Sequence, residues 1–331
     1  MNIINIATLL LICLVGCNPE NDNSKAQDHL PVNKSATPET AKLLSYLYSI
    51  SGKQILSGQH NSSNKLNECS DRVTEITGKK PFIWGGDFHL LSGNYRKQMI
   101  EEAIRQYKEG SIIALMWHAE PPSDLGLNKV PRDHIWTIME DEQWNELQMS
   151  GTVLHEKWLT QLDEIAGYLK RLKDENIPVL WRPYHEMNGG FWWCKKIGED
   201  GFVKLWKSMY DRFVNFHHLD NLIWVWSPNK WKLGETKYQI EDYYPGDDYV
   251  DVLALDIYGN DYRREYYDRL LELADGKPIA LGEVGQLPTP EILTEQPLWV
   301  WFLLWTNYID KEVNSIDEVK RLYQFDRVLT K

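Results

Sequence analysis

Ile112-Ile113-Ala114-Leu115-Met116-Trp117 runs for six residues with no polar side chain and no alternation. A strand with one face in water alternates; a strand buried on both faces, as in a parallel sheet covered by helices, does not. This character returns at intervals. Short β-prone runs lie at Gln54–Ser57, Phe82–Phe88, Ile112–His118, Val179–Tyr184, Leu222–Trp226, Val252–Tyr258, Ile279–Glu283 and Trp301–Trp305. Between them the period changes. Trp158, Leu162, Ile165, Leu169 and Leu172 are spaced as one face of a helix, as are Phe202, Leu205, Trp206, Met209 and Phe213. Eight β-then-α units predict an α/β chain closed into a single-domain (β/α)8 barrel. The competing open, doubly wound sheet is disfavoured because no Gly-rich phosphate loop follows the first run. The longest stretch without a period, residues 121–151, reads as an elaborated loop after the third strand.

The chain has 331 residues, the length of one such barrel with additions. A net charge of −12 repels the phosphates of nucleic acid and excludes it as a partner. Fifteen tryptophans are far more than a Val/Ile/Leu barrel core calls for. About two thirds are expected to pack. The others offer flat apolar faces with one N–H donor, which suit sugar rings.

At the N-terminus, Ile3 to Val15 are nearly all apolar but too few to span a bilayer, and they end in Leu14-Val15-Gly16-Cys17. This segment resembles a bacterial lipoprotein signal, although no Lys or Arg precedes the apolar run. The expected division is a signal peptide over 1–16, a lipidated Cys17 with a polar tether over 17–37, and the catalytic barrel over 38–331. The implied location is the outer membrane, at the cell surface or the periplasmic face, with the membrane touched only through the anchor. Cys69 and Cys194 are left to pair or to stay free.

Barrel enzymes place chemistry at the C-terminal ends of their strands. Here those ends carry His60, Asp87, His118, His185 with Glu186, Trp226, Asp256, Tyr258, Glu283 and Trp305. Glu186 follows the fourth run and Glu283 ends the seventh, on opposite sides of the barrel mouth. Two carboxyl groups flanking a bond are what glycoside hydrolysis needs. Arg182 precedes Pro183, which forces it onto the strand, and a charge there needs a carboxylate partner. Asp256 and Tyr258 share a face of the sixth run, where the phenol can donate to Glu283 and favour its ionised form. Trp305 is placed as a floor beneath a sugar, and at least one of Trp192 and Trp193 is expected to line the cleft. No metal is expected. Gly189 and Leu159 stand where zinc motifs beginning at His185 and His155 would need histidine.

The segment Trp181-Arg-Pro-Tyr-His-Glu-Met-Asn-Gly189 with its Phe191-Trp-Trp193 tail resembles the acid/base segment of family 26 glycoside hydrolases, a group dominated by β-mannanases. Ser57-Gly-Gln-His60, Trp117-His118, Asp256-Ile-Tyr258 and Gly282-Glu283 support the resemblance, which runs along 38–331. It implies a retaining mechanism with Glu186 as general acid/base and Glu283 as nucleophile. His118, His185 and Trp305 would contact the sugar before the cut, and Tyr258 would orient Glu283. His60, Trp192 and Trp193 complete the expected sugar-binding set, with Arg182 and Asp256 in support. No cofactor is implied. The partners implied are β-mannan or galactomannan and manno-oligosaccharides, acted on by a monomer. A β-xylanase or mixed-linkage β-glucanase on the same fold is one alternative. A non-catalytic glycan-binding lipoprotein is another, but it has no need of both glutamates. Whether cleavage is internal or releases mannobiose from an end stays open.

Overall fold

Eight strands close on themselves in chain order: β1 (Ile55–His60), β2 (Ile83–Asp87), β3 (Ile112–Trp117), β4 (Val179–Pro183), β5 (Leu222–Trp226), β6 (Val252–Ile257), β7 (Ile279–Val284) and β8 (Trp299–Leu304). Each pairs in parallel with the next, and β1 pairs with both β2 and β8, so the barrel has no edge except where a short β9 (Val328–Leu329) adds beside β1. The computed structural model describes residues 29–62, 65–88, 93–124, 137–189, 193–309 and 313–331. Within them the surrounding helices are α1 (Pro38–Ile50), α2 (Glu68–Thr77), α3 (Gly93–Lys108), α4 (Asp141–Gln148), α5 (Val153–Asp174), α6 (Phe202–Asp211), α7 (Arg264–Ala274), α8 (Pro290–Glu295) and α9 (Ile316–Tyr323). None is long and apolar enough to cross a membrane.

The expected runs and the observed strands coincide to within three residues at every end. The largest shift is at β1, which continues from Ser57 to His60, and β8 begins at Trp299 rather than Trp301. The apolar core splits into two layers. Inside the barrel, Leu56, Ile83, Leu180, Ile223, Val252, Ala280, Trp301 and Leu303 meet one another. The lower end of that layer is closed by Leu43, Leu44, Leu47 and Ile50 of α1. Helix α1 starts with Pro38 at its first turn, and Thr37 Oγ1 accepts the Thr40 N–H at 3.2 Å.

Two boundaries differ from the sequence reading. Residues 29–37, taken as tether, dock on the bottom of the barrel: Val32 N–H donates to Asp251 Oδ1 at 2.7 Å, Asn33 Nδ2 donates to the Leu219 carbonyl at 3.0 Å, and Thr37 N–H donates to the Asp220 carbonyl at 2.9 Å. Two of these bonds come from backbone N–H groups and only Asn33 uses its side chain, so composition gave no sign of the docking. Within 121–151, α4 is a helix whose Trp144 and Leu147 are buried; a two-turn helix is too short to show a clear period. Residues 1–28, with Cys17, lie outside the described residues.

The tryptophan count also has a structural reading. Every described tryptophan except Trp305 is buried. Several use the indole N–H to tie an apolar body to a loop: Trp158 to Tyr184 Oη at 2.9 Å, Trp206 to the Tyr249 carbonyl at 3.2 Å, and Trp226 to the Tyr243 carbonyl at 3.2 Å. Trp226 therefore packs outward and does not line the mouth. The two indoles that end nearest the cleft in sequence, Trp192 and Trp305, differ in status, for Trp192 lies outside the described residues.

Candidate active site

Strand β4 delivers Arg182 into the barrel mouth, and the chain then turns sharply. Tyr184 (φ +48°) and Glu186 (φ +55°) both adopt the left-handed region, which costs energy in a residue with a side chain. The turn is held from several sides. Tyr184 Oη accepts the Trp158 indole N–H, Glu186 N–H donates to the Ser227 carbonyl at 2.8 Å, and Gly189 N–H donates to the Glu186 carbonyl at 2.8 Å. The result aims Glu186 into the mouth while leaving it only 8% exposed.

Glu283, 4% exposed at the end of β7, meets a different environment. Arg182 Nη2 donates to its Oε2 at 2.7 Å, and the Tyr258 hydroxyl donates to its Oε1. The other nitrogen of the guanidinium, Nη1, donates to Asp256 Oδ2 at 2.7 Å, and Ser227 Oγ donates to Asp256 Oδ1 at 2.7 Å. Arg182 is thus a buried cation shared by two carboxylates, which hold its guanidinium above its usual range against the opposing pull of burial. Burial raises Asp256 above the usual carboxylate range, with Arg182 and Ser227 pulling the other way. Burial and the facing Glu283 push Tyr258 far above an ordinary phenol, so it remains a donor. Two glycines make room for this network. A Cβ on Gly282 would lie 2.4 Å from Ser227 Oγ and 2.7 Å from Asp256 Oδ1, and one on Gly285 would lie 2.5 Å from the Tyr258 ring.

The histidines form a line on the other side of the mouth. His118 Nδ1 lies 2.6 Å from Asp87 Oδ2, and His118 Nε2 lies 3.0 Å from His185 Nε2. A carboxylate accepts the Nδ1–H of His118, so one proton is shared between the facing Nε2 atoms. His185 Nε2 is 3.9 Å from Glu283 Oε2, within reach of the same reacting centre. The half-buried Trp305 ring stands over His60 and His118, with ring centres 4.6 and 5.7 Å away.

Two expected sugar contacts are displaced. His60 is 1% exposed, with Nδ1 3.2 Å from the Asn61 carbonyl; burial lowers its pKa to about 4, so it is a neutral ring under Trp305 rather than an open ligand. Trp193 is 1% exposed, donates its indole N–H to the Ala119 carbonyl at 2.8 Å, and packs on Tyr184 and Trp144. Trp193 therefore packs, while Trp192 lies outside the described residues. Cys69 and Cys194 are free thiols, both buried.

Sequence reasoning passed over Ser227, Asn188 and Asn229. Asn229 Nδ2 donates to Glu186 Oε1 at 3.1 Å, and Asn188 holds the Asn229 backbone at both its N–H and its carbonyl, each at 2.8 Å. Asn188-Gly189 reads in sequence as a turn, which hid the role of its side chain. His185, Asp256 and Glu283 bring donor atoms within 4.8 Å of one another. A cation there would meet the Arg182 guanidinium already bonded to two of the three, so the donor set suits an internal ion pair better than a metal.

One carboxyl group, Glu186, bonded by a neutral amide, shares the mouth with another, Glu283, bonded by a guanidinium and a phenol, beside an aromatic floor and paired imidazoles. Such a mouth can bind a ring of hydroxyls and cut an acetal bond by acid/base and nucleophilic action.

Comparison with known proteins agrees with this chemistry. The model of glycosyl hydrolase family 26 matches residues 32–331. A mannan endo-1,4-beta-mannosidase of Thermothelomyces thermophilus is 36% identical over 314 residues, covering 90% of this chain and 62% of that protein. Mannan endo-1,4-beta-mannosidase A of Piromyces sp. is 31% identical over 88% of this chain and 48% of its own length. The chain thus spans about half to three fifths of these two relatives. GH26A from Muricauda sp. MAR_2010_75 has a solved structure with 44% identity and a TM-score of 0.85, covering 90% of this chain and 98% of that one.

Proposed function

Because this chain belongs to glycosyl hydrolase family 26, we propose that it hydrolyses β-1,4-mannosidic bonds in mannan or galactomannan by double displacement. The observation that carries the roles is the pair of bonds that Glu283 accepts. Glu283 accepts from a guanidinium on one oxygen and a phenol on the other, the surroundings of a carboxylate held ready to attack. Glu186 accepts from the neutral amide of Asn229, a setting that suits a carboxyl alternating between acid and base.

In the first step Glu283 attacks the anomeric carbon from one face. Glu186 gives its proton to the glycosidic oxygen as the carbon–oxygen bond breaks, leaving a glycosyl–Glu283 ester. In the second step water attacks that carbon, Glu186 takes its proton, and Glu283 leaves as carboxylate. Trp305 forms the floor beneath the sugar, with His60 bracing the indole from below. His118 and His185, joined to each other through their Nε2 atoms, border the same sugar site. The names of the Thermothelomyces and Piromyces relatives support mannan as the substrate.

The test is product analysis on linear mannan and galactomannan, with xylan and barley β-glucan alongside, for the natural chain and Glu283→Ala. Manno-oligosaccharides from the first and none from the second are expected, and the early product sizes report internal or terminal cleavage. Intact mannan with cleaved xylan or β-glucan would overturn the substrate. For the N-terminal segment, the reading from Leu14-Val15-Gly16-Cys17 is a lipid anchor. Cys17→Ser should then move the protein from the membrane fraction to the soluble one.

A further inference from the structure

We infer that Asn229, clamped by Asn188, is a positioning residue that reserves one oxygen of Glu186 for the proton in transit; this rests on Glu186 being the acid/base. A carboxyl group has two equivalent oxygens and a soft terminal torsion. Left alone, it carries its proton on either oxygen, and only one of the two faces the bond to be cut.

Asn229 removes that equivalence. Its Nδ2 donates to Glu186 Oε1 at 3.1 Å. An amide nitrogen only donates, so Oε1 is an acceptor when Glu186 is ionised and also when it is protonated. The proton is then confined to Oε2. It leaves from Oε2 to the departing glycosidic oxygen as the carbon–oxygen bond breaks, and water returns it to the same atom in the second step.

The amide is itself fixed. Asn188 Nδ2 donates to the Asn229 carbonyl and Asn188 Oδ1 accepts the Asn229 N–H, both at 2.8 Å, so one side chain pairs with that backbone as a neighbouring strand does. Asn188 lies on the same turn as Glu186, whose own N–H is bonded to the Ser227 carbonyl two residues before Asn229. Donor and acceptor are therefore built on two segments tied together at three points. Asn229 is part-exposed at the mouth, where a residue needed only for packing gains nothing from a bond to a carboxylate.

A test must separate acid positioning from a loss of structure. Asn229→Ala and Asn188→Ala are compared with the natural chain on a manno-oligosaccharide, whose leaving alkoxide needs a proton, and on 2,4-dinitrophenyl β-mannobioside, whose phenolate does not. The readout is kcat/KM, which reports the steps up to bond cleavage. Asn229→Ala is expected to lose about 10- to 100-fold on the oligosaccharide, part of the contribution of a general acid, and less than about threefold on the aryl glycoside. Asn188→Ala should show the same split, smaller. Equal losses on both substrates, or no loss on either, would overturn the inference. A natural chain inactive on both substrates would instead overturn the proposed function.

Discussion

Arg182 Nη2 stands 2.7 Å from Glu283 Oε2 with both side chains buried, and its Nη1 stands 2.7 Å from Asp256 Oδ2. One cation therefore serves two carboxylates in a place where an unpaired charge is costly. Removing one partner of a buried pair costs about 3–5 kcal/mol. Arg182→Met should lower stability by about that amount in urea unfolding and also abolish most turnover, because Asp256 and Glu283 would then repel each other. Arg182→Lys should restore little. An ammonium is a point donor and cannot fork between two carboxylates as a planar guanidinium does. A lysine variant with natural kcat would refute the shared-fork account.

Tyr258 and Gly285 should give the same phenotype by different routes. Tyr258→Phe deletes the hydroxyl that donates to Glu283 Oε1. Gly285→Ala keeps the hydroxyl but puts a methyl group 2.5 Å from the Tyr258 ring, so the ring must shift and its bond to Glu283 is disturbed. Both are expected to lower kcat by about 10- to 100-fold, the size of a hydrogen bond to a charged group, with smaller changes in KM. The double variant should be little worse than either single one, because each removes the same bond. Additive losses would show that Gly285 acts elsewhere.

His60 gives a pH-dependent prediction. Burial lowers its pKa to about 4, with Asp87 and Glu283 opposing that shift and Arg182 and His118 adding to it. The unfolded chain thus binds the proton more tightly than the folded one, and stability is lost as pH falls below about 6.5 towards 4. At pH 4.5 the loss from this group is about 2–3 kcal/mol relative to pH 7. Other buried groups titrate in the same range, so the measurement is a difference. The stability gap between the natural chain and His60→Gln should shift by that amount in favour of the variant on acidification. A gap independent of pH would mean that His60 does not stay neutral in the fold.

The barrel was legible because its signal is local and repeated: eight apolar runs each report burial on both faces. Glu186, Glu283, Arg182, Asp256 and Tyr258 were legible because strand ends in a barrel point to one mouth, and carboxylates near a buried arginine must find it. Trp193, one of a pair of which at least one was expected at the cleft, and His60 both lie buried for a common reason. Nearness to the mouth in sequence does not say which way a side chain turns, and both turn inward to brace a neighbour. Asn188 and Asn229 left no signal, since their meeting joins two loops 41 residues apart, and neither asparagine looks unusual in its own turn.

Residues 29–37 bear on where the folded unit begins. Asp251, fully buried, accepts the N–H of Val32 on one oxygen and that of Trp224 on the other at 2.7 and 2.8 Å, and burial still raises its pKa to about 6. A chain beginning at Pro38 loses the Val32 donor, the Asn33 bond to Leu219 and the Thr37 bond to Asp220. Against a chain beginning at His29 it should be less stable by about 2–4 kcal/mol, at roughly one per lost hydrogen bond with more for the bond to a charge. The sign with pH follows from the raised carboxyl. A group whose folded pKa lies above its unfolded value favours the fold below the unfolded value and loses that benefit as pH rises through the folded one. Loss of the Val32 donor raises Asp251 further. The deficit of the shorter chain should therefore be smallest near pH 4 and grow to its full size above pH 6. Melting curves of the two chains at pH 4, 6 and 8 check this, and equal melting temperatures throughout would return residues 29–37 to the status of a tether.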